Sequence, residues 1–105
     1  MQVPEIDVDA LADELTRDAP LIDVRQLDEW EQARVPGVPL IPLDEVVERS
    51  DEVPRGVPVY VICRSGGRSA QACEYYRSIG IDAINVAGGT LAWIESGREV
   101  ASGAA

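Results

Sequence analysis

The chain has 105 residues, of which 46% are hydrophobic and 27% charged, enough for one domain with a buried core and too few for two. Its formal net charge of −10 argues against nucleic acid and anionic membrane surfaces as partners, because both require basic patches. No apolar stretch is long enough to span a membrane, and the acidic N-terminal region has the wrong charge for a secretory signal. We therefore expect a cytoplasmic protein with one domain over residues 1–100 and a disordered tail over residues 101–105.

The first third of the chain predicts strands and helices in alternation. A short edge strand is expected at residues 5–7, followed by a helix that Asp9 caps. Pro20 ends that element, and the apolar residues 21–24 predict a second strand. A brief helix follows at residues 27–32.

The rest of the chain continues the same alternation. Prolines and a glycine exclude regular structure at residues 35–39. The later predicted elements are a short strand at 40–41, a helix at 45–49 capped by Asp44, a central strand at 57–62, a helix at 69–79, a strand at 82–86 and a last helix at 91–96. This order predicts an α/β fold whose central, mainly parallel five-stranded sheet is flanked by helices on both faces.

The most informative feature is a cysteine placed between the central strand and the next helix. Cys63 follows a buried apolar run, and two glycines let the backbone curl around its sulfur. Loop amides and a helix N-terminus that point into such a curl form an anion-binding cup and lower the pKa of a thiol. Parallel sheets form their sites at the carboxyl ends of strands, where Cys63 lies. We predict that Cys63 is a catalytic nucleophile.

The residues after this cysteine are candidate binding residues for an anionic substrate. Arginines on either side of the cup favour an anion or stabilise a thiolate, and the serine hydroxyls can donate to the sulfur, although the last serine could equally serve only as a helix cap. The predicted substrate-binding residues are Arg64, Ser65, Gly66, Gly67, Arg68 and Ser69. A second cysteine, Cys73, is expected to pack in the helix, with a resolving role in a disulfide with Cys63 as the alternative. Asp23 and Arg25, at the end of another strand, are expected to form a buried structural ion pair.

The chain has two cysteines and no histidine. We expect reduced thiols, no metal site and no cofactor, because zinc needs more Cys or His ligands than the chain supplies. Every Cys–His catalytic arrangement is excluded as well. Backbone dipoles and arginines are therefore left to activate Cys63.

Four segments follow one another along the chain: 21–25 with Glu29 and Trp30, 35–37, 63–69, and 86–89 with Trp93. Together these segments resemble the single-domain rhodanese-like sulfurtransferases, and the likeness extends from Leu21 to about Arg98. The resemblance implies a rhodanese-like fold in which Cys63 attacks a sulfane sulfur and becomes a persulfide. It implies a small anionic donor such as thiosulfate, or a protein persulfide, and a thiol, a protein or, in vitro, cyanide as acceptor. At Arg34 many relatives have histidine, and the change is expected to alter the rim of the site.

Two other classes of function stay open at this point. Protein-tyrosine phosphatases and arsenate reductases use a similar cysteine loop, but five residues separate their cysteine from the arginine, whereas four separate Cys63 from Arg68. The shorter loop suits one sulfur atom better than a tetrahedral oxyanion. The second alternative is a non-catalytic or sulfur-relay binding module. Inactive members of the family usually lack the cysteine, which this chain retains.

Overall fold

The structure of the protein is a computed structural model that describes residues 2–104. Its four strands are β1 (Glu5–Ile6), β2 (Leu21–Asp23), β3 (Val59–Ile62) and β4 (Ala83–Val86). They form one parallel sheet in the order β1-β4-β3-β2. The helices are α1 (Val8–Leu15), α2 (Leu27–Gln32), α3 (Gly67–Ser78) and α4 (Gly89–Glu95). Two short 3₁₀ helices at Leu43–Glu45 and Ser50–Glu52 connect α2 to β3.

The expected fifth strand is reduced to one isolated bridge, so the prediction of five strands was wrong. Leu40 pairs with Asp23 at the edge of the sheet, and the amide of Ile41 donates to the carbonyl of Asp23 at 2.9 Å. Pro39 and Pro42 flank this pair and have no N–H to continue a ladder. The segment therefore forms one bridge with the sheet and no fifth strand.

Two local predictions about helices also need correction. The N-cap of α1 is Asp7 and not Asp9: the Asp7 carboxylate accepts a hydrogen bond from the amide of Ala10 at 2.8 Å. The helix expected at residues 45–49 is absent, and the two 3₁₀ helices and a turn take its place. Val46 and Val47 are adjacent β-branched residues, which lower the helix propensity of this short segment.

Side chains of β3 alternate between two hydrophobic clusters, one on each face of the sheet. Val59 and Val61 belong to the cluster that contains Cys73 and Tyr76 of α3. Tyr60 and Ile62 belong to the cluster that contains Leu11 of α1 and Trp93 of α4. Helices thus cover both faces, as expected, and Cys73 packs in the core with no exposed surface. The strand that leads to Cys63 is the best-buried element of the fold.

The segment after residue 100 is held against the end of α2 in the structure. Ala101 and Arg34 exchange two backbone hydrogen bonds of 2.9 Å each, and the amide of Gly103 donates to the carbonyl of Glu31 at 2.7 Å. The disordered tail expected for residues 101–105 stays a prediction, and Ala105 lies outside the described residues. Within residues 2–104, no helix has the length and apolarity that crossing a bilayer requires.

Candidate active site

Cys63 directly follows β3, at the carboxyl end of the sheet, and a three-residue loop leads from it into α3. α3 begins at Gly67, two residues earlier than predicted. Gly66 has φ of +117°, a conformation that side chains disfavour, and this turn directs the chain around the sulfur. Cys63 therefore lies between a strand and a helix, as predicted.

The sulfur of Cys63 lies among hydrogen-bond donors. The amide of Gly66 is 3.1 Å from Sγ, and the hydroxyl oxygen of Ser69 is 3.2 Å from it. Burial of the sulfur raises the pKa of Cys63, but hydrogen bonds from the Ser69 side chain and from the amides of Ser69, Gly66 and Ser65 outweigh it. The pKa of Cys63 therefore lies below its ordinary value, which favours the nucleophilic thiolate.

The start of α4 holds the backbone of the loop from the other side. The amide and the hydroxyl of Thr90 both donate to the carbonyl of Cys63 at 2.9 Å, and the amide of Leu91 donates to the carbonyl of Arg64 at 3.1 Å. A Cβ atom at Gly89 would lie 2.6 Å from backbone atoms of Cys63 and Arg64. The absence of a side chain at Gly89 permits this close approach. Sequence reasoning missed Thr90, whose type and position carry no separate signal.

A chain of buried polar groups runs from the sulfur to the edge of the sheet. Ser69 Oγ is 2.5 Å from Asn85 Oδ1, and both residues are buried. The amide nitrogen of Asn85 donates to the carbonyl of Gly66 at 3.1 Å and to the carboxylate of Glu5 at 2.8 Å. Sequence reasoning missed Asn85 too, although a polar residue in the short apolar strand β4 was an available signal.

The two arginines of the loop have different surroundings. Arg68 Nη1 and Nη2 donate to the two carboxylate oxygens of Glu29 on α2, at 2.7 and 2.8 Å. Arg64 is exposed, and none of the ion pairs within residues 2–104 involves it. Arg25 and Asp23 form the buried ion pair that the sequence predicts, with the closest N···O distance at 2.7 Å. Arg64 is thus the cation of the loop that is open to a ligand.

A small cleft of about 240 Å³ lies beside the loop. It is lined by Arg25, Glu29, Gln32, Ala33, Arg64, Thr90, Leu91 and Ile94. Arg64 supplies a positive group to the lining, and Leu91 and Ile94 supply exposed apolar surface. The cleft has room for a small anion or a short thiol next to the loop.

The fold and the loop together define a parallel α/β protein with an activated cysteine at a strand-to-helix turn. The chain matches the family model of the rhodanese-like domain over residues 7–96, and it belongs to this family of sulfurtransferases.

Relatives agree with this assignment. A sulfurtransferase from Allochromatium vinosum is 36% identical over 101 residues, which cover 93% of this chain and 94% of the relative. YrkF of Bacillus subtilis, whose name assigns it only provisionally as a sulfur carrier protein, is 38% identical over 94 residues; the match covers 87% of this chain and 51% of YrkF. The crystal structure of a rhodanese-related protein from Thermoplasma volcanium superposes with a TM-score of 0.86 at 31% identity, covering 93% of this chain and 97% of that one.

Proposed function

We propose that the protein transfers sulfane sulfur through a persulfide formed on Cys63. The observation that carries the proposal is the set of donors around Sγ: the Gly66 amide at 3.1 Å and the Ser69 hydroxyl at 3.2 Å, with the lowered pKa of Cys63 that these donors produce. Such donors stabilise a thiolate before the reaction and a negatively charged outer sulfur after it.

The reaction has two balanced half-reactions. The thiolate of Cys63 attacks the outer sulfur of thiosulfate, a new S–S bond forms, the S–S bond of thiosulfate breaks, and sulfite leaves with the electron pair. An acceptor nucleophile such as cyanide then attacks the outer sulfur of the persulfide. A C–S bond forms, the S–S bond of the persulfide breaks, thiocyanate leaves, and the electron pair of the broken bond stays on Cys63 as its thiolate. No proton transfer is needed in either step, in keeping with a chain that has no histidine.

The burial of Cys63 favours a donor with a terminal sulfur atom. Because Cys63 is only 1% exposed, the donor has to present a single protruding sulfur atom to it. We assign Arg64 the role of attracting an anionic donor, because its guanidinium is exposed at the cleft beside the loop. The Gly66 amide donates to the sulfur, and the amides of Ser65 and Ser69 also lower the pKa of Cys63. Gly67 begins the helix, and Arg68 holds the loop to α2. A protein persulfide also fits as donor, and a small thiol or a protein thiol as acceptor.

Steady-state kinetics with thiosulfate and cyanide test this proposal. A persulfide intermediate predicts ping-pong behaviour, which gives parallel lines in double-reciprocal plots at several fixed cyanide concentrations. Cys63→Ser should abolish thiocyanate formation, and Cys73→Ser, the matched control at the buried cysteine, should retain it. Activity that survives in Cys63→Ser would overturn the proposal. Absence of turnover in the wild type with both thiosulfate and a protein persulfide donor would leave a binding module as the better description.

A further inference from the structure

We propose that Asn85 is a positioning residue that competes with Cys63 for the single hydroxyl proton of Ser69 and thereby opposes formation of the Cys63 thiolate. The inference rests on the proposed function only in taking Cys63 as the reactive sulfur. Asn85 lies in β4, makes no hydrogen bond to the sulfur among the described residues and does not line the cleft beside the loop. Its influence on Cys63 can pass through Ser69 or through Gly66, and we assign it to Ser69, the route that the experiment below separates from the other.

The orientation of the Asn85 amide is fixed by its neighbours. Its nitrogen lies 3.1 Å from the carbonyl oxygen of Gly66 and 2.8 Å from a carboxylate oxygen of Glu5. Both neighbours are acceptors only, so the NH₂ group has to face them. Asn85 Oδ1 therefore faces Ser69 Oγ, and this oxygen can accept a proton but has none to donate.

When Cys63 is a thiol, one arrangement satisfies every group. The contact between Ser69 Oγ and Asn85 Oδ1 at 2.5 Å requires a proton between the two oxygens, and only the Ser69 hydroxyl can supply it. Ser69 Oγ is then free to accept the S–H of Cys63 at 3.2 Å. The hydrogen bonds run in one direction, from Cys63 to Ser69 to Asn85.

When Cys63 is a thiolate, the same groups conflict. The negatively charged sulfur has no proton to donate and is stabilised by accepting a hydrogen bond from the Ser69 hydroxyl. If that proton turns to the sulfur, Ser69 Oγ and Asn85 Oδ1 face each other with no proton between them. Both residues are buried, at 0% and 1% exposure, so water does not readily replace the lost bond. Asn85 therefore stabilises the thiol relative to the thiolate.

The other charged groups around Cys63 lie in the loop, on α2 and α3 and at the end of β2, and most are held in ion pairs. Arg68 on α3 is paired with Glu29, and Asp23 at the end of β2 is paired with Arg25. Arg64, in the loop itself, carries a permanent positive charge. Burial raises the pKa of Cys73, also on α3, to about 12, so that thiol stays neutral. We therefore assign the change between the two states to the position of the Ser69 hydroxyl proton, which can lie toward Cys63 or toward Asn85.

The competition ends once the persulfide has formed. Sγ is then bonded to the outer sulfur and carries neither a proton nor a full negative charge, so the Ser69 hydroxyl can return to Asn85. Asn85 thus disfavours the free thiolate but not the sulfur-loaded form. This arrangement keeps the unloaded cysteine protonated more of the time, and protonated thiols resist oxidation.

A double-mutant cycle tests the proposal by following the pKa of Cys63. The variants are Asn85→Ala, Ser69→Ala and the double variant, and thermal unfolding checks that each is folded. Asn85→Leu, similar in size to asparagine but without polar atoms, serves as a second variant at the same site. The pKa is read from thiolate absorbance and from the pH profile of the alkylation rate with iodoacetamide, neither of which depends on sulfur transfer. The proposed function can therefore fail while this inference holds, and the reverse.

Competition through Ser69 predicts opposite signs for the two single variants. Ser69→Ala should raise the pKa of Cys63, because a donor to the thiolate is lost. Asn85→Ala and Asn85→Leu should lower it by about one unit, a tenfold change in thiolate at a pH well below the pKa, and should have no effect in the Ser69→Ala background. A rise in pKa, no change, or an equal effect in both backgrounds would overturn the proposal and assign Asn85 to support of the Gly66 carbonyl.

Infrared spectroscopy of protein that retains Asn85 tests whether Cys63 donates its S–H to Ser69. The S–H stretch of Cys63, isolated in the Cys73→Ala background by difference from the Cys63→Ser form, should show the lowered frequency of a donating thiol. Ser69→Ala should return it to a higher frequency. If protein that retains Ser69 and Asn85 shows an S–H band at the frequency of an unbonded thiol, the proposal is contradicted, even if the Asn85 variants lower the pKa of Cys63.

Discussion

The guanidinium of Arg68 on α3 is paired in parallel with the carboxylate of Glu29 on α2, through hydrogen bonds of 2.7 and 2.8 Å. This geometry is bidentate and fixes the distance between the two helices at the cysteine loop. Arg68 is therefore engaged within the protein, whereas Arg64 faces solvent. The two loop arginines therefore differ in their surroundings.

The Glu29–Arg68 pair predicts acid sensitivity of the fold. The hydrogen bond from Arg68 is the largest cause that lowers the pKa of Glu29 from 4.5 to about 2, and burial opposes it. A carboxylate with a depressed pKa in the folded state contributes stability that is complete above its unfolded pKa and is lost as the pH falls toward about 2. Glu29→Gln should cost about 1 kcal/mol near neutrality, because the pair is partly exposed.

Denaturant unfolding at a series of pH values from about 5 to about 2 checks this prediction. Glu29→Gln should show a flatter dependence on pH than the wild type, whereas Glu31→Gln, which removes a carboxylate from the same helix, should retain the wild-type slope. Equal slopes for the wild type and Glu29→Gln would show that the ion pair contributes nothing in solution.

Arg64 and Arg68 should differ in their effect on thiosulfate turnover. If Arg64 attracts the anionic donor, Arg64→Gln should raise KM for thiosulfate about tenfold, the worth of one charge-assisted contact, with a smaller change in kcat. Arg17→Gln, two residues after the end of α1, alters the net charge equally and is the control for long-range electrostatics. A larger rise in KM for Arg68→Gln than for Arg64→Gln would mean that Arg68 leaves Glu29 to bind the donor.

Gly89 should be intolerant of any side chain. Its φ is +59°, and a Cβ atom would come within 2.6 Å of the backbone of Cys63 and Arg64, which cannot give way without moving the loop. Gly89→Ala should lose several kcal/mol of stability and most of the sulfur-transfer activity. Gly97→Ala is the matched control, since φ is +78° there but nothing lies within 4 Å of the added atom.

Gly97→Ala should cost only the intrinsic penalty of the left-handed conformation, about 1 kcal/mol, with normal activity. Thermal unfolding together with thiocyanate formation separates the two variants. Similar losses of stability at both glycines would show that backbone conformation, and not the close approach of α4 to the cysteine loop, decides the cost.

The strand, the loop and the helix around Cys63 could be predicted because their signals are local. An apolar run, two glycines and a helical pattern follow one another within about twenty residues, and each has one natural interpretation. The pairing of Asp23 with Arg25 was predictable for the same reason, since the partners are two residues apart.

The partners of the loop could not be predicted, because folding brings them together from distant positions. Glu29 lies 39 residues from Arg68, Thr90 lies 27 residues from Cys63, and Glu5 lies 80 residues from Asn85. Nothing near these residues in the chain indicates which strand or helix they will face. The missing fifth strand has another cause: the prolines around Leu40 were visible, but a two-residue strand and a single bridge give nearly the same pattern.

Cys73 should be chemically silent in the native protein. It has no exposed surface, and burial raises its pKa to about 12. A short treatment with iodoacetamide near neutral pH should modify Cys63 alone, and both cysteines should react after denaturation. Peptide mass spectrometry reads the two sites separately. A disulfide between Cys63 and Cys73 after mild oxidation would contradict this prediction and give Cys73 a resolving role.

Arg34 should act on the C-terminal segment and not on the chemistry. Its guanidinium lies 3.7 Å from the Trp30 ring centroid and donates to the carbonyl oxygens of Trp30 and Gly103 at 3.0 and 2.8 Å. Arg34→Ala should therefore speed amide hydrogen exchange at Ala101 and Gly103 while leaving kcat unchanged. A loss of activity with unchanged exchange would place Arg34 at the rim of the site instead.

Intact-protein mass spectrometry after incubation with thiosulfate decides whether Cys63 becomes a persulfide. We expect that the wild type and Cys73→Ser each gain one sulfur atom, that cyanide removes it, and that Cys63→Ser gains none. A stable wild-type mass with thiosulfate and with a protein persulfide donor, or a sulfur atom retained on Cys63→Ser, would contradict persulfide formation at Cys63.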